Sequence, residues 1–170
     1  LIHLVRSHLT RSNHYQLGAR PCNAPAVVDC SSMVRWSFGC LGIALPRPSI
    51  DQREAGQEVF LDNVQSGDLI FTTGPQNYFT QDQSIGVGHV GILTEDETVL
   101  EASPRCPAFK EKPLDKFLSD YHEFRGVTRI LPSVEDRLVL ELGQEHDVLF
   151  CKDVLRFAQK RLPLQSPVSS

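Results

Sequence analysis

The segment GHVGILTEDETVLEAS, residues 88–103, constrains the fold most strongly because it predicts a β-hairpin. Two short apolar runs flank the polar turn TEDET, which is the pattern of paired antiparallel strands. The runs QSGDLIFTTG and RGVTRIL predict further strands, and PLDKFLSDY predicts a short helix that begins at Pro113. We therefore expect a small antiparallel sheet.

Patterns typical of helices precede and follow this sheet region in the sequence. Residues 1–12 have apolar side chains at near-helical spacing, a second helix is predicted to begin near Cys30, and Ser49 is a suitable N-cap for a short helix through DQREAGQEV. Residues 133–162 predict a C-terminal helical extension, and residues 163–170 predict a flexible tail. The predicted fold class is α+β, with helices packed on a small antiparallel sheet in a single 170-residue domain.

The charge and the cysteine content argue against several classes of protein. A net charge of −4 gives no electrostatic footprint for nucleic acid, so nucleic-acid binding is not predicted. No apolar run approaches the roughly 18 to 20 residues that a membrane span requires. The five cysteines are irregularly spaced, without a CxxC pair or a Cys/His cluster. Neither a metal site nor an organic cofactor is expected.

The stretch VVDCSSMVRW, residues 27–36, places Cys30 at the first turn of a predicted helix. Unpaired backbone N–H groups and the helix dipole stabilise a thiolate at such a position, which makes a sulfur there a better nucleophile. A cysteine nucleophile needs a base, and His89 is the best candidate because it lies at a strand start between glycines. In the predicted hairpin Glu101 lies beside His89 across the ladder, where a carboxylate would orient the imidazole and favour imidazolium.

A free cysteine is more commonly a small buried hydrophobic residue than a catalytic one. That interpretation is kept for the other four cysteines, which lie on apolar helix faces (Cys40 and Cys151) or in loops (Cys22 and Cys106). The remaining histidines are interpreted as surface residues or helix caps: His3, His8, His14, His122 and His146. Local context alone separates Cys30 and His89 from the other residues of their types.

Six short motifs follow one another between residues 15 and 103: YQLGA, DCSSMVRW, GIALPRPSIDQREAG, VQSGDLIF, GHVGIL and VLEAS. With these motifs in this order, the chain resembles the NlpC-type cysteine peptidases, which belong to the papain-like superfamily and include bacterial cell-wall endopeptidases. The resemblance implies a papain-like α+β fold with the catalytic cysteine at a helix N-terminus.

The same resemblance implies a catalytic role for three side chains. Cys30 would be the nucleophile, His89 the general base, and Glu101 the third polar residue. The thiolate would attack an amide carbonyl, and the main-chain N–H of Cys30 or Ser31 would help to bind the oxyanion. His89 would then protonate the leaving amine, and water would hydrolyse the thioester.

Further residues are implied to support this site. Tyr15 falls where the family has a tyrosine near the catalytic sulfur, with a packed loop aromatic as the alternative. Asp29 would cap the helix or bind a substrate amine. Arg47 and Ser49 match a segment that lines the cleft, although Arg47 equally fits a structural ion pair.

Three positions depart from the usual family pattern. Ser32 stands where glycine usually follows DCS, which predicts either crowding of the helix start or a solvent-facing hydroxyl. Gly18 and Ala19 replace a pair of glycines, and Glu101 replaces the usual His, Asn or Gln. Because a carboxylate can orient an imidazole, the sequence predicts a variant triad with its activity retained.

The substrate that the resemblance implies is a peptidoglycan stem peptide or muropeptide, cut between γ-D-glutamyl and a diamino acid such as diaminopimelate or lysine. Two alternatives stay open: an amidase, deamidase or acyltransferase that acts on another amide, and a noncatalytic module that binds a wall peptide. The resemblance favours a secreted or periplasmic location, with a cytoplasmic one still open. The sequence does not determine the oligomeric state.

Overall fold

The structure, a computed structural model, describes residues 1–8, 13–79, 82–104, 108–121 and 123–130. The predicted C-terminal extension and tail lie outside the described residues, as do Cys106 and Cys151. The assignment of the whole chain to one domain therefore stays a prediction.

Besides three short 3-10 helices, the described part of the chain contains four α-helices and eight strands. In chain order they are α1 (Ile2–Ser7), β1 (His14–Tyr15), β2 (Val27–Val28), α2 (Cys30–Gly39), α3 (Ser49–Arg53), β3 (Gln57–Val59), β4 (Leu69–Thr72), β5 (His89–Leu93), β6 (Thr98–Ala102), β7 (Phe109–Pro113), α4 (Leu114–Asp120) and β8 (Phe124–Arg129). Strands β1 and β2 form a small parallel pair. The other six form one antiparallel sheet in the order β3-β8-β4-β5-β6-β7.

The predicted hairpin is present in this sheet as β5 and β6. The polar segment TEDE joins the two strands, and Gly91 pairs with Glu101 across the ladder. The predicted helix near Pro113 is α4, for which Pro113 is the N-cap. Proline suits this place because the first N–H groups of a helix have no intrahelical acceptor.

The helix predicted from Ser49 through DQREAGQEV is wrong in its cap and in its length. Pro48 is the N-cap, Ser49 is the first helical residue, and the helix ends at Arg53. Gln57–Val59 then forms the edge strand β3 against β8. Gly56 permits this close approach, since a Cβ there would collide with the backbone of β8.

Both faces of the sheet are covered by apolar side chains. Leu69 and Phe71 of β4 pack in one cluster with Phe38 of α2. Ile70, between them in sequence, packs in a second cluster with Phe117 of α4. Because side chains alternate along a strand, α2 and α4 lie on opposite faces of the sheet.

The N-terminal helix α1 covers part of the predicted helix at residues 1–12. Its side chains Ile2 and Val5 are buried, and they join the cluster on the α2 face. Across the described ranges, no helix combines the length and the apolar character needed to cross a membrane.

Cys22 and Cys40 are both exposed free thiols. The interpretation of Cys22 and Cys40 as buried residues is therefore wrong. Helix α2 ends at Gly39 and Cys40 is its C-cap, so the apolar face of the helix does not extend to this residue.

Candidate active site

Cys30 is the first residue of α2 and follows directly after the N-cap Asp29. The Asp29 carboxylate accepts a hydrogen bond from the Ser32 backbone N–H at 2.9 Å, and the Ser32 hydroxyl accepts one from the Asp29 N–H at 2.8 Å. This reciprocal pair is a capping box. The structure corrects both expectations for Ser32, because its buried side chain fastens the helix start and neither crowds it nor faces solvent.

The capping box uses only some of the backbone donors of the first turn. The Ser32 N–H binds the Asp29 side chain, and the Met33 N–H binds the Asp29 carbonyl at 3.0 Å. The N–H groups of Cys30 and Ser31 are the first-turn donors that the cap leaves unused. They lie beside the sulfur, where an oxyanion formed by attack on a carbonyl would sit.

His89 and Glu101 form a buried pair on the α4 face of the sheet. His89 Nε2 lies 2.6 Å from Glu101 Oε2, and both side chains are buried. Glu101 lies opposite Gly91 in the ladder, and His89 and Gly91 face the same side of β5. Glu101 therefore reaches His89 diagonally across the hairpin and on the same face, in line with the predicted hairpin.

His89 is the first residue of β5, and β5 packs against α2, the helix that begins at Cys30. The Cys30 side chain is close enough to the His89 imidazole to raise its pKa. Because Nε2 is taken by Glu101, Nδ1 is the ring nitrogen that remains for the sulfur. Burial disfavours the charged imidazolium, but the interactions with Cys30 and Glu101 outweigh it and raise the pKa of His89 to about 9.

Glu101 has two further polar partners besides His89. The Tyr121 hydroxyl donates to Oε2 at 2.6 Å, and Lys112 Nζ forms an ion pair with Oε1 at 2.6 Å. Burial opposes ionisation of Glu101, yet His89, Lys112 and Tyr121 together lower the pKa of Glu101 to about 2. Oε2 of this carboxylate therefore meets His89 and Tyr121 at hydrogen-bond distance, while Oε1 meets Lys112 as an ion pair without hydrogen-bond geometry.

Two aromatic rings fix the plane of the His89 imidazole. Tyr121 stacks on it with 4.3 Å between ring centroids, and Phe117 lies tilted at 5.6 Å. Gly91 makes room for this cover, because a Cβ there would collide with Val99 and lie 3.2 Å from Phe117 Cε2. The end of α4 thus shields the imidazole and its acceptor from solvent.

Tyr15 lies half-buried at the end of β1. Burial, then the negative charges of Cys30 and Asp29, raise the pKa of the Tyr15 hydroxyl. The residue is therefore close enough to Cys30 to interact with its charge and stays protonated at neutral pH. This position fits the expected tyrosine beside the sulfur.

Asp29 and Arg47 form a partly buried ion pair at the helix start. Arg47 Nη2 lies 2.5 Å from Asp29 Oδ2 and also donates to the Ala19 carbonyl, while Nη1 donates to the Ser31 hydroxyl at 2.6 Å. The Gly18 N–H is a further donor to Asp29 Oδ2. Burial raises the pKa of Asp29, but Arg47 and the helix cap outweigh burial and lower it. Of the two roles expected for each residue, the contacts support the helix cap for Asp29 and the structural ion pair for Arg47.

Ser49 is buried at the first position of α3, behind this ion pair. Its neighbour Gln52 donates through Nε2 to the Ser31 and Pro46 carbonyls, at 2.9 and 2.8 Å. Helix α3 therefore fastens the segment that carries Arg47 to the first turn of α2.

A model of the NlpC/P60 family matches residues 12–122 of this sequence. The chain belongs to the NlpC/P60 family. The matched segment contains Cys30, His89 and Glu101, together with every element from β1 to α4. The expected NlpC-type membership is confirmed, and so is the expected α+β fold of helices packed on an antiparallel sheet.

Known NlpC/P60 relatives are similar over part of their length. A protein called a probable endopeptidase, from Haemophilus influenzae, is 35% identical over 82 residues, which cover 46% of this chain and 45% of that protein. The peptidoglycan endopeptidase RipB of Mycobacterium tuberculosis is 35% identical over 88 residues, which cover 52% of this chain and 32% of RipB. The alignment thus spans less than half of each curated relative.

The structure of NlpC2 from Trichomonas vaginalis has the same fold with a TM-score of 0.59. It is 20% identical, and the match covers 75% of this chain and 44% of that one. At this identity the likeness supports the fold of the NlpC/P60 domain alone.

Three residues around the NlpC/P60 site could not be identified from the sequence pattern: Gln52, Lys112 and Tyr121. Lys112 lies in FKEKP, a segment too polar to predict a half-buried strand, and Tyr121 ends a helix whose packing partner is distant in sequence. Gln52 lies in the polar run DQRE, where nothing in the sequence distinguishes it from its neighbours. Only the pairing of β6 with β7 and the packing of α4 place Lys112 and Tyr121 beside Glu101.

Within the described ranges, no group of three or more His, Cys, Asp and Glu side chains is placed to hold a metal ion. The polar groups of the site contact one another or the helix backbone. The chemistry that this arrangement can perform is nucleophilic attack by sulfur, with proton transfer by the imidazole.

Proposed function

We propose that this NlpC/P60 chain hydrolyses amide bonds of peptidoglycan stem peptides through a triad of Cys30, His89 and Glu101. The observation that carries the proposal is the His89 ring, which binds the buried Glu101 carboxylate through Nε2 and whose pKa is raised by Cys30 as well as by Glu101. A nucleophile, a base and an orienting acceptor in this order are the parts that acyl transfer requires.

The proposed reaction begins with a thiolate and imidazolium pair. The Cys30 sulfur attacks the amide carbonyl carbon, and the N–H groups of Cys30 and Ser31 bind the resulting oxyanion. When the C–N bond breaks, His89 gives its proton from Nδ1 to the leaving amine, and a thioester remains on Cys30. Water then attacks the thioester while neutral His89 takes its proton, which releases the carboxylic acid and restores the pair.

The high pKa of His89 suits the first half of this cycle. With a pKa of about 9, the imidazolium stays protonated at neutral pH and can supply the proton that an amine leaving group needs. Tyr121 and Phe117 hold the ring plane while Nε2 stays bound to Glu101, which leaves Nδ1 for the proton transfer.

The choice of substrate rests on relatives. RipB is named a peptidoglycan endopeptidase, and a similar protein of Bacillus subtilis is named a bifunctional muramidase and DL-endopeptidase. The bond that we propose lies between γ-D-glutamyl and the diamino acid of the stem peptide, which is the bond implied by the NlpC-type resemblance.

A substrate panel tests this proposal. Purified protein is incubated with muropeptides that contain diaminopimelate or lysine and, in parallel, with acylated primary amines and with glutamine peptides, and the products are identified by mass spectrometry. We expect cleavage of the muropeptides after γ-D-glutamate. Cleavage of acylated amines alone would indicate an amidase or acyltransferase, and saturable muropeptide binding without any product would indicate a binding module.

A further inference from the structure

A row of side chains with alternating charge leads from Cys30 to the protein surface. Beyond His89 and Glu101, Lys112 Nζ lies 2.6 Å from Glu101 Oε1 and 2.8 Å from Asp120 Oδ2. Lys116 Nζ lies 2.9 Å from Asp120 Oδ1. Exposure rises outward along the row, from 0% for the Glu101 side chain and 16% for Lys112 to 63% for Lys116. From His89 outward the signs run imidazolium, carboxylate, ammonium, carboxylate, ammonium.

Lys112 is held in this row from several sides. It lies on β7, where its strand neighbour Lys110 pairs with Glu101 in the ladder. Its ammonium group also lies 5.9 Å from the Phe117 ring centroid and 5.4 Å from that of Tyr121. The charged or titratable groups facing Glu101 are thus His89 from β5, Lys110 and Lys112 from β7, and Tyr121 after α4.

A glutamate in the third position has a consequence that a neutral residue would not have. A buried carboxylate whose only charged partner is an imidazolium binds that imidazolium strongly, and this opposes transfer of its proton to a leaving amine. Lys112 is a second cation, and its contact with Glu101 Oε1 balances the negative charge of the carboxylate. The Glu101 and Lys112 pair then presents an acceptor to His89 with little net charge.

We propose that Lys112 is a positioning residue that balances the charge of Glu101, and thereby sets how firmly the site holds the proton of His89. This proposal rests on the proposed function in one respect, that Cys30 and His89 form a reactive pair. Lys112 contacts neither Cys30 nor the space in front of it, so its effect passes through Glu101.

The alternating row predicts alternating effects of charge removal. Lys112→Met removes the cation that balances Glu101, so His89 should keep its proton to a higher pH, by about one unit. Asp120→Asn removes the anion that competes for Lys112, so His89 should lose its proton at a lower pH, by roughly a few tenths of a unit since the group is farther away. Lys112→Arg keeps the charge and should restore the wild-type value.

The experiment follows alkylation of Cys30 by iodoacetamide between pH 5 and 11. A Cys22→Ala background leaves Cys30 as the only thiol in the tryptic peptide that ends at Arg35, because the bond between Arg20 and Pro21 resists trypsin. Mass spectrometry of that peptide gives the rate of Cys30 alkylation. A plot of this rate against pH should change slope where the His89 imidazolium loses its proton. Lys116→Met, the exposed end of the row, is the matched control, and we expect it to shift this point by less than about 0.2 units.

An upward shift in Lys112→Met, reversed in Lys112→Arg, together with a downward shift in Asp120→Asn, would support the proposal. An unchanged or downward shift in Lys112→Met, or an upward shift in Asp120→Asn, would overturn it. Asp120 is partly exposed, so its variant still decides the question if Lys112→Met does not fold. If the proposed function itself fails, Cys30 in the protein without changes at Lys112 or Asp120 should be alkylated no faster than Cys40 at pH 6. That result differs from a pH transition that is present but does not shift in the variants.

Discussion

At the scale of single residues, local sequence context predicts Cys30 and His89, because a helix start and a glycine-flanked strand start are visible in the sequence. The same context does not predict what surrounds them. Ser32 looks like an intrusion at a glycine position, yet it completes a capping box with Asp29. Its role depends on two backbone N–H groups whose orientation no sequence pattern records.

Replacement of Ser32 tests the capping box. Ser32→Ala removes the acceptor of the buried Asp29 N–H, so we expect the free energy of unfolding to fall by about 1 to 2 kcal/mol. Urea titration followed by circular dichroism measures this difference. The control Ser119→Ala changes an exposed helical serine and should alter stability by less than about 0.5 kcal/mol. Equal effects of the two replacements would contradict the assigned role of Ser32.

Replacement of Glu101 tests the carboxylate in the third position. Glu101→Gln keeps an acceptor for His89 Nε2 but removes the negative charge, so the alkaline limb of kcat/KM should move down by about one pH unit or more. Glu101→Ala also removes the acceptor, and kcat/KM should fall more than about 100-fold. Glu111→Gln is the control, because Glu111 pairs with Arg6 on the opposite face of β7. A limb that stays in place in Glu101→Gln would show that the charge has no influence on His89.

At the scale of elements, the strands and helices with strong apolar patterns could be predicted from the sequence, and the polar edge strands could not. The hairpin of β5 and β6 and the helix α4 follow from alternating runs and from Pro113. Strand β3 has the polar sequence QEV and forms by backbone pairing at the sheet edge, so the pattern favoured a longer α3. Strand β7 is similarly polar, and it carries Lys112. The partners of Glu101 were missed for this reason, since they depend on pairing between segments distant in sequence.

A glycine in β5 allows α4 to cover the site. Gly91→Ala places a methyl group against Val99 and Phe117, so we expect a loss of about 1 to 3 kcal/mol in stability and a fall in kcat as His89 shifts. Gly39→Ala is the matched control, because no atom lies within 4 Å of a Cβ at this helical position. It should leave stability unchanged or raise it by up to about 1 kcal/mol. Thermal and urea unfolding compare the two variants, and equal stability would contradict the close packing of α4 on β5.

At the scale of the whole molecule, the site combines elements that pack on opposite faces of the sheet. Helix α2 on one face supplies Cys30, and α4 on the other covers His89 and Glu101. Folding therefore couples the charges of the site to global stability. The folded-state pKa of His89 is raised, so its contribution is full below the unfolded value near 6.5 and is lost as pH rises through about 9. The pKa of Glu101 is lowered, so its contribution is present above about 4.5 and is lost as pH falls towards 2.

This linkage predicts the pH dependence of unfolding. Between pH 7 and pH 10 the wild-type protein should lose stability, while His89→Gln should lose less over the same interval because it lacks the titrating group. Urea unfolding at several pH values gives the two slopes. Parallel slopes would contradict the raised pKa of His89.

The central claim is that Cys30 is the nucleophile of an amide hydrolase, and its most direct test is the release of diamino-acid peptides from purified muropeptides by Cys30→Ala. Wild-type protein and the Cys40→Ala control, which changes an exposed thiol, should give the same products at similar rates. Cys30→Ala, folded as judged by circular dichroism, should give none, as seen by mass spectrometry of the digest. Undiminished cleavage by Cys30→Ala would contradict the claim.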